Sequence, residues 1–190
     1  MPVGFKNGTD GSVQVAIDAV RAAKEPHSFM GVTEQGLAAI VETRGNPSAH
    51  VVLRGGTPGP NYDRASVERT EDALRKAGLA DHLVIDLSHA NSGRDYTRQP
   101  LIARDVAEQI AGGDRAIVGV MAESFLEDGR QDAEAEPLIY GKSITDACIG
   151  WDATVTVLSA LASAVRERRA TSSGRSADIQ SPARSRLTPR

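Results

Sequence analysis

The sequence predicts an α/β fold with parallel strands, and three observations predict it. Four apolar runs rich in branched residues read as buried strands: Met1 to Phe5, His50 to Leu53, Leu83 to Leu87 and Ala116 to Met121. A stretch of helical periodicity follows each one, the alternation that builds βα units with right-handed crossovers. Each run also ends at or near a chargeable group, Lys6, Arg54, His89 and Glu123 in turn. Chemistry gathered at the carboxyl ends of parallel strands is the layout of a (β/α)8 barrel. Four βα units make half of one, and a whole barrel takes about 250 residues, against 190 here. An open four-stranded sheet is the competing architecture. Its edge strands would be exposed, and Met1 to Phe5 carries no edge-blunting feature.

Composition sets the outer bounds. Hydrophobic content of 40% with 25% charged residues suits a globular core, and a net charge of -3 gives no reason to expect a nucleic-acid partner. No apolar run approaches the roughly 20 residues of a membrane helix. The opening residues lack the basic and apolar regions of a secretion signal. A lone cysteine, Cys148, excludes an internal disulfide framework and predicts a reducing cytoplasm. Met1 starts directly in a strand pattern, as though in mid-architecture.

The elements follow in order. After Lys6, Asn7 to Gly11 is a turn cluster. Val13, Ala16, Ile17, Val20 and Ala23 then mark a helix that Ser12 would cap and Pro26 would stop. Phe29 to Val32 and Ala38 to Thr43, around Glu34-Gln35-Gly36, predict an inserted hairpin. The strand ending at Arg54 runs into a Gly- and Pro-rich loop. Ser66 would cap the next helix, with Val67, Thr70, Leu74 and Ala77 inward and Gly78 closing it. Ser92 to Gln99 is a polar loop, and Ile102, Val106 and Ile110 mark a helix closed by Gly112-Gly113. Glu127 to Glu136 has no periodicity and reads as a loop. Asp152 would cap a last helix with Val155, Leu158, Leu161, Ala162 and Val165 inward and Trp151 in the core. The expected domain is 1–169, followed by a disordered Ser/Arg/Pro tail over 170–190.

Five motifs stand in register along the chain: Met1 to Gly11 (MPVGFKNGTDG), Leu53 to Gly56 (LRGG), Asp86 to Asn91 (DLSHAN), Val120 to Ser124 (VMAES) and Gly141 to Trp151 (GKSITDACIGW). Together they resemble the type I 3-deoxy-D-arabino-heptulosonate 7-phosphate (DAHP) synthases, from Met1 to about Arg169. The resemblance implies a (β/α)8 barrel of which this chain supplies strands five to eight. It implies 3-deoxy-7-phosphoheptulonate synthase activity: condensation of phosphoenolpyruvate with erythrose 4-phosphate, the first step toward chorismate and the aromatic amino acids. The eight-carbon 3-deoxy-octulosonate phosphate synthases share a metal-assisted condensation, but the five motifs argue against them.

The residue roles come from the same resemblance. His89, Glu123 and Asp146 match metal ligands, and one imidazole with two carboxylates suits Mn2+, Fe2+ or Zn2+. A lone histidine at a strand end is more often a surface or capping residue; Glu123 and Asp146 in matching motifs reverse that preference. Lys6 and Arg54 match positions that hold phosphoenolpyruvate. A guanidinium forks onto an anion, while an ammonium acts as a movable charge. Lys6 and His89 are the expected catalytic residues, Lys6 as general acid and His89 through the metal. Gly55-Gly56 allow close backbone approach. Cys148 reads as a small buried hydrophobe, because the family's ligand cysteine comes from a first strand outside this chain. His27, His50 and His82 read as structural.

The hairpin matches an inserted pair that helps form an aromatic amino-acid feedback site, and Gly31 there resembles the tyrosine-responsive members. The implied partners are the two substrates, such an effector, and a homo-oligomer or a complementing amino-terminal half, with no nucleic acid and no membrane. A truncated gene product, one chain of a split enzyme, and a non-catalytic half-barrel remnant are the alternatives. The isolated chain is expected to be inactive and to bind metal weakly.

Overall fold

The structure is a computed structural model that describes residues 1–178, with side chains described through Thr171. Four strands form one parallel sheet in the order β1 (Val3–Lys6), β4 (Ala49–Leu53), β5 (Leu83–Asp86), β6 (Ile117–Met121). Two more, β2 (His27–Val32) and β3 (Ala38–Thr43), form the antiparallel hairpin that the sequence predicts. The helices are α1 (Gln14–Lys24), α2 (Arg64–Lys76), α3 (Gln99–Ala111) and α4 (Trp151–Asp178). Among the described residues β1 and β6 do not pair with each other, so the sheet is open along both edges. No helix of the described residues is long and apolar enough to cross a membrane.

Strand periodicity divides the sheet into two unlike faces. Val51, Leu53, Leu83, Ile85, Leu87 and Ile117 join the core formed with Ile17 and Val20 of α1, Val67 and Leu74 of α2, Ile102 and Val106 of α3, and Val157 of α4. The alternate positions, Gly4, Lys6, His50, Val52, Arg54, Val84 and Asp86, lie on the other face. Val52 is buried but stands outside the helix-side core. Lys6, Arg54 and Asp86 therefore share one face and one end of the sheet.

The helix ends differ from the sequence reading in detail. Neither Ser12 nor Ser66 is a cap. Val13 occupies the N-cap of α1 without a side-chain cap bond, and the Ser12 amide instead donates to Asp10. Asp63 caps α2, accepting from both the amide and the hydroxyl of Ser66. An aspartate three residues upstream reaches the orphan amide better than a serine already inside the first turn. Pro26 acts as expected: Glu25 before it is extended, and α1 ends at Lys24.

α4 departs furthest. Asp152 lies inside its first turn, and its buried residues are Val157 and Ala164, packed with Ala153 and Leu161. Val155, Leu158 and Trp151 are exposed, while Leu161 and Val165 pack against the core, so the stripe read as the inner face is inward only in part. The helix continues to Asp178, across the start of the segment expected to be disordered. The remainder of that segment, 179–190, lies outside the described residues.

Candidate metal centre

The site begins at the end of β5. Asp86 closes the strand with its side chain fully buried. Ser88 folds back on it, the amide donating to Oδ1 at 2.9 Å and the hydroxyl at 2.6 Å. The chain then turns sharply: the Ser92 amide donates to the Ser88 carbonyl, and the Arg94 amide to the His89 carbonyl. The turn sets His89 at φ 54°, a left-handed conformation that costs a non-glycine residue on the order of 1–3 kcal/mol. That strain aims the imidazole off the strand end. Nδ1 lies 2.9 Å from Asp86 Oδ2 and Nε2 lies 3.8 Å from Glu123 Oε1.

Glu123 sits two residues beyond β6. Gln99, fully buried at the start of α3, grips its backbone on both sides, with the Glu123 amide donating to Oε1 and Nε2 donating to the Glu123 carbonyl. Asp146 arrives from the long loop between β6 and α4. That loop is held against the site by pairing of Gly129 with Cys148 and of Ser124 with Ile149. One donor atom each from His89, Glu123 and Asp146 lies within 4.8 Å of the others. Three segments far apart in sequence thus converge on a space that one ion would fill. No other such group of His, Cys, Asp or Glu occurs among the described residues. A cavity of about 260 Å3 opens there, lined also by Ser92, Arg94 and Tyr96.

The charges are poised for a cation. Burial pushes the Glu123 carboxyl above its usual range; His89 opposes this, and the nearby Asp146 and Asp86 carboxylates add to it. Crowded carboxylates of this kind are relieved when a dication enters. Asp86 behaves oppositely. Burial alone would raise it, but hydrogen bonds from Lys6 and Ser88, with the charge of His89, hold it below the usual carboxylate range.

The two predicted anion-binding cations flank this centre. Lys6 Nζ is 2.9 Å from Asp86 Oδ2, with 31% of its side chain exposed. Arg54, half-buried beyond β4, has a buried Nε with no hydrogen-bond partner. A buried guanidinium donor without an acceptor is costly, and a bound anion would satisfy it. The Arg54 amide donates to Asn7 Oδ1, while Asn7 Nδ2 donates to the Gly55 carbonyl. Asn61 receives the Gly55 amide and donates its own amide to Asn91. Asn91 Nδ2 donates to the carbonyls of Leu53 and Asp86. This lattice of buried amides ties the ends of β1, β4 and β5 together.

Gly55 has φ 73°, and a Cβ there would meet the Ala90 carbonyl carbon and the Asn91 nitrogen at 2.7 Å, which is the close approach the Gly pair predicts. Cys148 stands outside the donor group, and burial raises its thiol, which keeps it protonated. His27 and His50 contact backbone carbonyls, and His82 borders a cavity among charged residues near the starts of β5 and β6. Sequence reasoning gave no role to Asp86, Gln99 or the three asparagines. The signal for Asp86 was a carboxylate inside an apolar strand run. Gln99 carried none, because its partner is 24 residues away.

A model of the DAHP synthetase I family matches residues 1–159. The chain is 52% identical over 178 residues to a phospho-2-dehydro-3-deoxyheptonate aldolase of Corynebacterium glutamicum, covering 90% of this chain and 48% of that protein. It is 54% identical over 169 residues to the Phe-sensitive enzyme of that name from Escherichia coli, covering 88% and 48%. It is 53% identical over 173 residues to a tyrosine-inhibited one from Schizosaccharomyces pombe, covering 88% and 46%. A solved phospho-2-dehydro-3-deoxyheptonate aldolase from Francisella tularensis superposes with a TM-score of 0.84 at 45% identity, covering 87% of this chain and 48% of that one. The chain spans about half the length of the curated relatives it matches.

Proposed function

The chain belongs to the DAHP synthetase I family, and on that premise we propose that it carries the metal centre of a 3-deoxy-7-phosphoheptulonate synthase. The reaction condenses phosphoenolpyruvate with erythrose 4-phosphate, giving DAHP and inorganic phosphate. The observation that carries this reading is the convergence of His89, Glu123 and Asp146 beside the Lys6–Asp86 pair.

The donor set fits a first-row divalent ion, Mn2+, Fe2+ or Zn2+, which when bound would act as a Lewis acid on the sugar aldehyde. His89, Glu123 and Asp146 would hold it. Arg54 binds the phosphoenolpyruvate anion through the guanidinium donor left open at Nε. Lys6 adds positive charge on the same face and delivers a proton from Nζ to the aldehyde oxygen as carbon 3 of phosphoenolpyruvate bonds to the aldehyde carbon. Water adds at carbon 2, and phosphate leaves with cleavage of its C–O bond. Positioning and electrostatics supply the rate.

The four βα units are half of a (β/α)8 barrel. Two features favour this: among the described residues both sheet edges are unpaired, and Gly4, His50, Val52 and Val84 stand outside the core that the helices form with the other face. The complementing partner is a polypeptide matching the other half of the relatives' length, or a second copy of the chain. The β2–β3 hairpin helps bind an aromatic amino acid. At Gly31 an added Cβ would meet Val41 Cγ2 at 2.7 Å, so a larger side chain there would displace Val41, and the single cysteine fits the cytoplasm.

Co-production with a polypeptide matching the uncovered half of the C. glutamicum relative tests the proposal. With Mn2+ the pair should release phosphate from phosphoenolpyruvate only when erythrose 4-phosphate is present, and His89→Ala in the pair should abolish release. Near-normal rates with ordinary metal content in that variant would rule out its role. Turnover by the chain alone would contradict the need for a partner. The half-length span and open edges also support a second reading, a non-catalytic remnant; a folded, metal-loaded pair without turnover would favour it.

A further inference from the structure

We propose that Asp86 is a positioning residue that holds the His89 ring in its Nδ1–H tautomer and so leaves Nε2 as the bare donor facing Glu123. The relevance to a metal rests on the function proposed above; the tautomer does not.

Asp86 has 0% exposure, and three donors reach its two oxygens, with His89 Nδ1 as a fourth close neighbour. Oδ1 accepts from the Ser88 amide and the Ser88 hydroxyl. Oδ2 accepts from Lys6 Nζ at 2.9 Å and faces His89 Nδ1 at 2.9 Å. An ionised carboxylate has only acceptors to offer, so the contact at Nδ1 requires a proton on the ring nitrogen. The second neighbour of Nδ1 is the Ser88 hydroxyl oxygen at 2.7 Å. Its one hydrogen is already committed to Asp86 Oδ1 at 2.6 Å, so toward the ring it too can only accept. Both neighbours of Nδ1 are acceptors.

In the neutral ring the remaining nitrogen, Nε2, then carries the lone pair. It is the nitrogen turned toward Glu123, 3.8 Å from Oε1. A carboxylate behind an imidazole fixes its orientation and raises its basicity as a ligand. Asp86 also reaches Lys6 through the same oxygen. One buried group therefore sets the ring and locates the ammonium, which fixes the spacing between a metal-binding nitrogen and a substrate-binding cation.

The test is 15N NMR of the His89 ring in the full 190-residue chain, in metal-free alkaline buffer, with the signal assigned by its loss in His89→Gln. The unsubstituted chain should show a protonated Nδ1 and a bare Nε2. In Asp86→Asn, whose amide can also donate to the ring, the Nε2–H form should gain population, and Mn2+ affinity should fall about 10–100-fold. An Nε2–H ring in the unsubstituted chain overturns the proposal, and that measurement stands even if Asp86→Asn does not fold. A folded Asp86→Asn that has lost thermal stability but keeps tautomer and affinity overturns it as well, since Asp86 would then serve packing alone. If the tautomer behaves as expected and neither form binds Mn2+ even when paired with a polypeptide matching the other half of the relatives, the metal reading falls and the role of Asp86 stands.

Discussion

At the scale of single residues, what holds this site is backbone geometry and buried amides more than surface charge. Gly55 and Gly78 share a left-handed φ, 73° and 69°, but differ in their surroundings. Nothing lies within 4 Å of a Cβ at Gly78, so Gly78→Ala should cost only the conformational term, about 1–2 kcal/mol. Gly55→Ala adds a collision with the backbone of Ala90 and Asn91 and should cost about 3 kcal/mol or more. Equal denaturation midpoints for the two variants would refute this. Gln99→Leu should cost about 1–3 kcal/mol, because it strands the part-buried Glu123 amide, and it should weaken Mn2+ binding. Unfolding in urea and a metal titration check both parts. Lys6, Arg54, His89 and Glu123 stood out in the sequence as chargeable groups just past apolar runs. Asp86 and Gln99 did not, since their importance lies in partners the local pattern does not contain.

At the scale of elements, periodicity located the strands and helices, while packing chose their faces and caps. Asp63 holds α2 at its start, so Asp63→Ala should cost about 1 kcal/mol. Burial alone would raise the Asp63 carboxyl, but hydrogen bonds from the Ser66 side chain and amide outweigh that and keep it below its ordinary value of 3.8. A depressed carboxylate stabilises the fold above its unfolded value and loses that contribution as pH falls through the folded value. The stability gap between the unsubstituted chain and Asp63→Ala should therefore be full near neutrality and shrink below about pH 3.8. A gap constant down to strongly acid pH would show that the cap does not depend on charge. α4 shows the limit of pattern reading. Its apolar residues occupy more than one side, so two inner faces were compatible with the sequence. Contact with α3 selects Val157 and Ala164 and leaves Val155 and Leu158 in solvent.

At the scale of the molecule, the unusual feature is a parallel sheet that, among the described residues, is open at both edges and packs its helices on one face. Parallel sheets are normally enclosed on both faces, because their ladders and apolar side chains need cover. Trp151, the sole tryptophan in the sequence, opens α4 and is 56% exposed, so its emission can test whether an added half covers it. Its emission in the chain alone should be that of a solvated indole. Addition of a polypeptide matching the other half of the relatives should shift it to the blue and protect it from acrylamide. A pair that assembles by sedimentation yet leaves Trp151 unchanged would place the added half elsewhere.

The amino-acid sequence alone determined the alternation of strand and helix, the inserted hairpin and the family, because each is written in local periodicity and in short motifs. It also put chargeable residues just past the strand ends, since a strand boundary is a local event. Tertiary structure alone decided which helix faces turn inward, which residues cap, and how His89, Glu123 and Asp146 come within 4.8 Å. Those outcomes depend on contacts between segments dozens of residues apart, where the energy of packing and of satisfying buried polar groups exceeds any local preference.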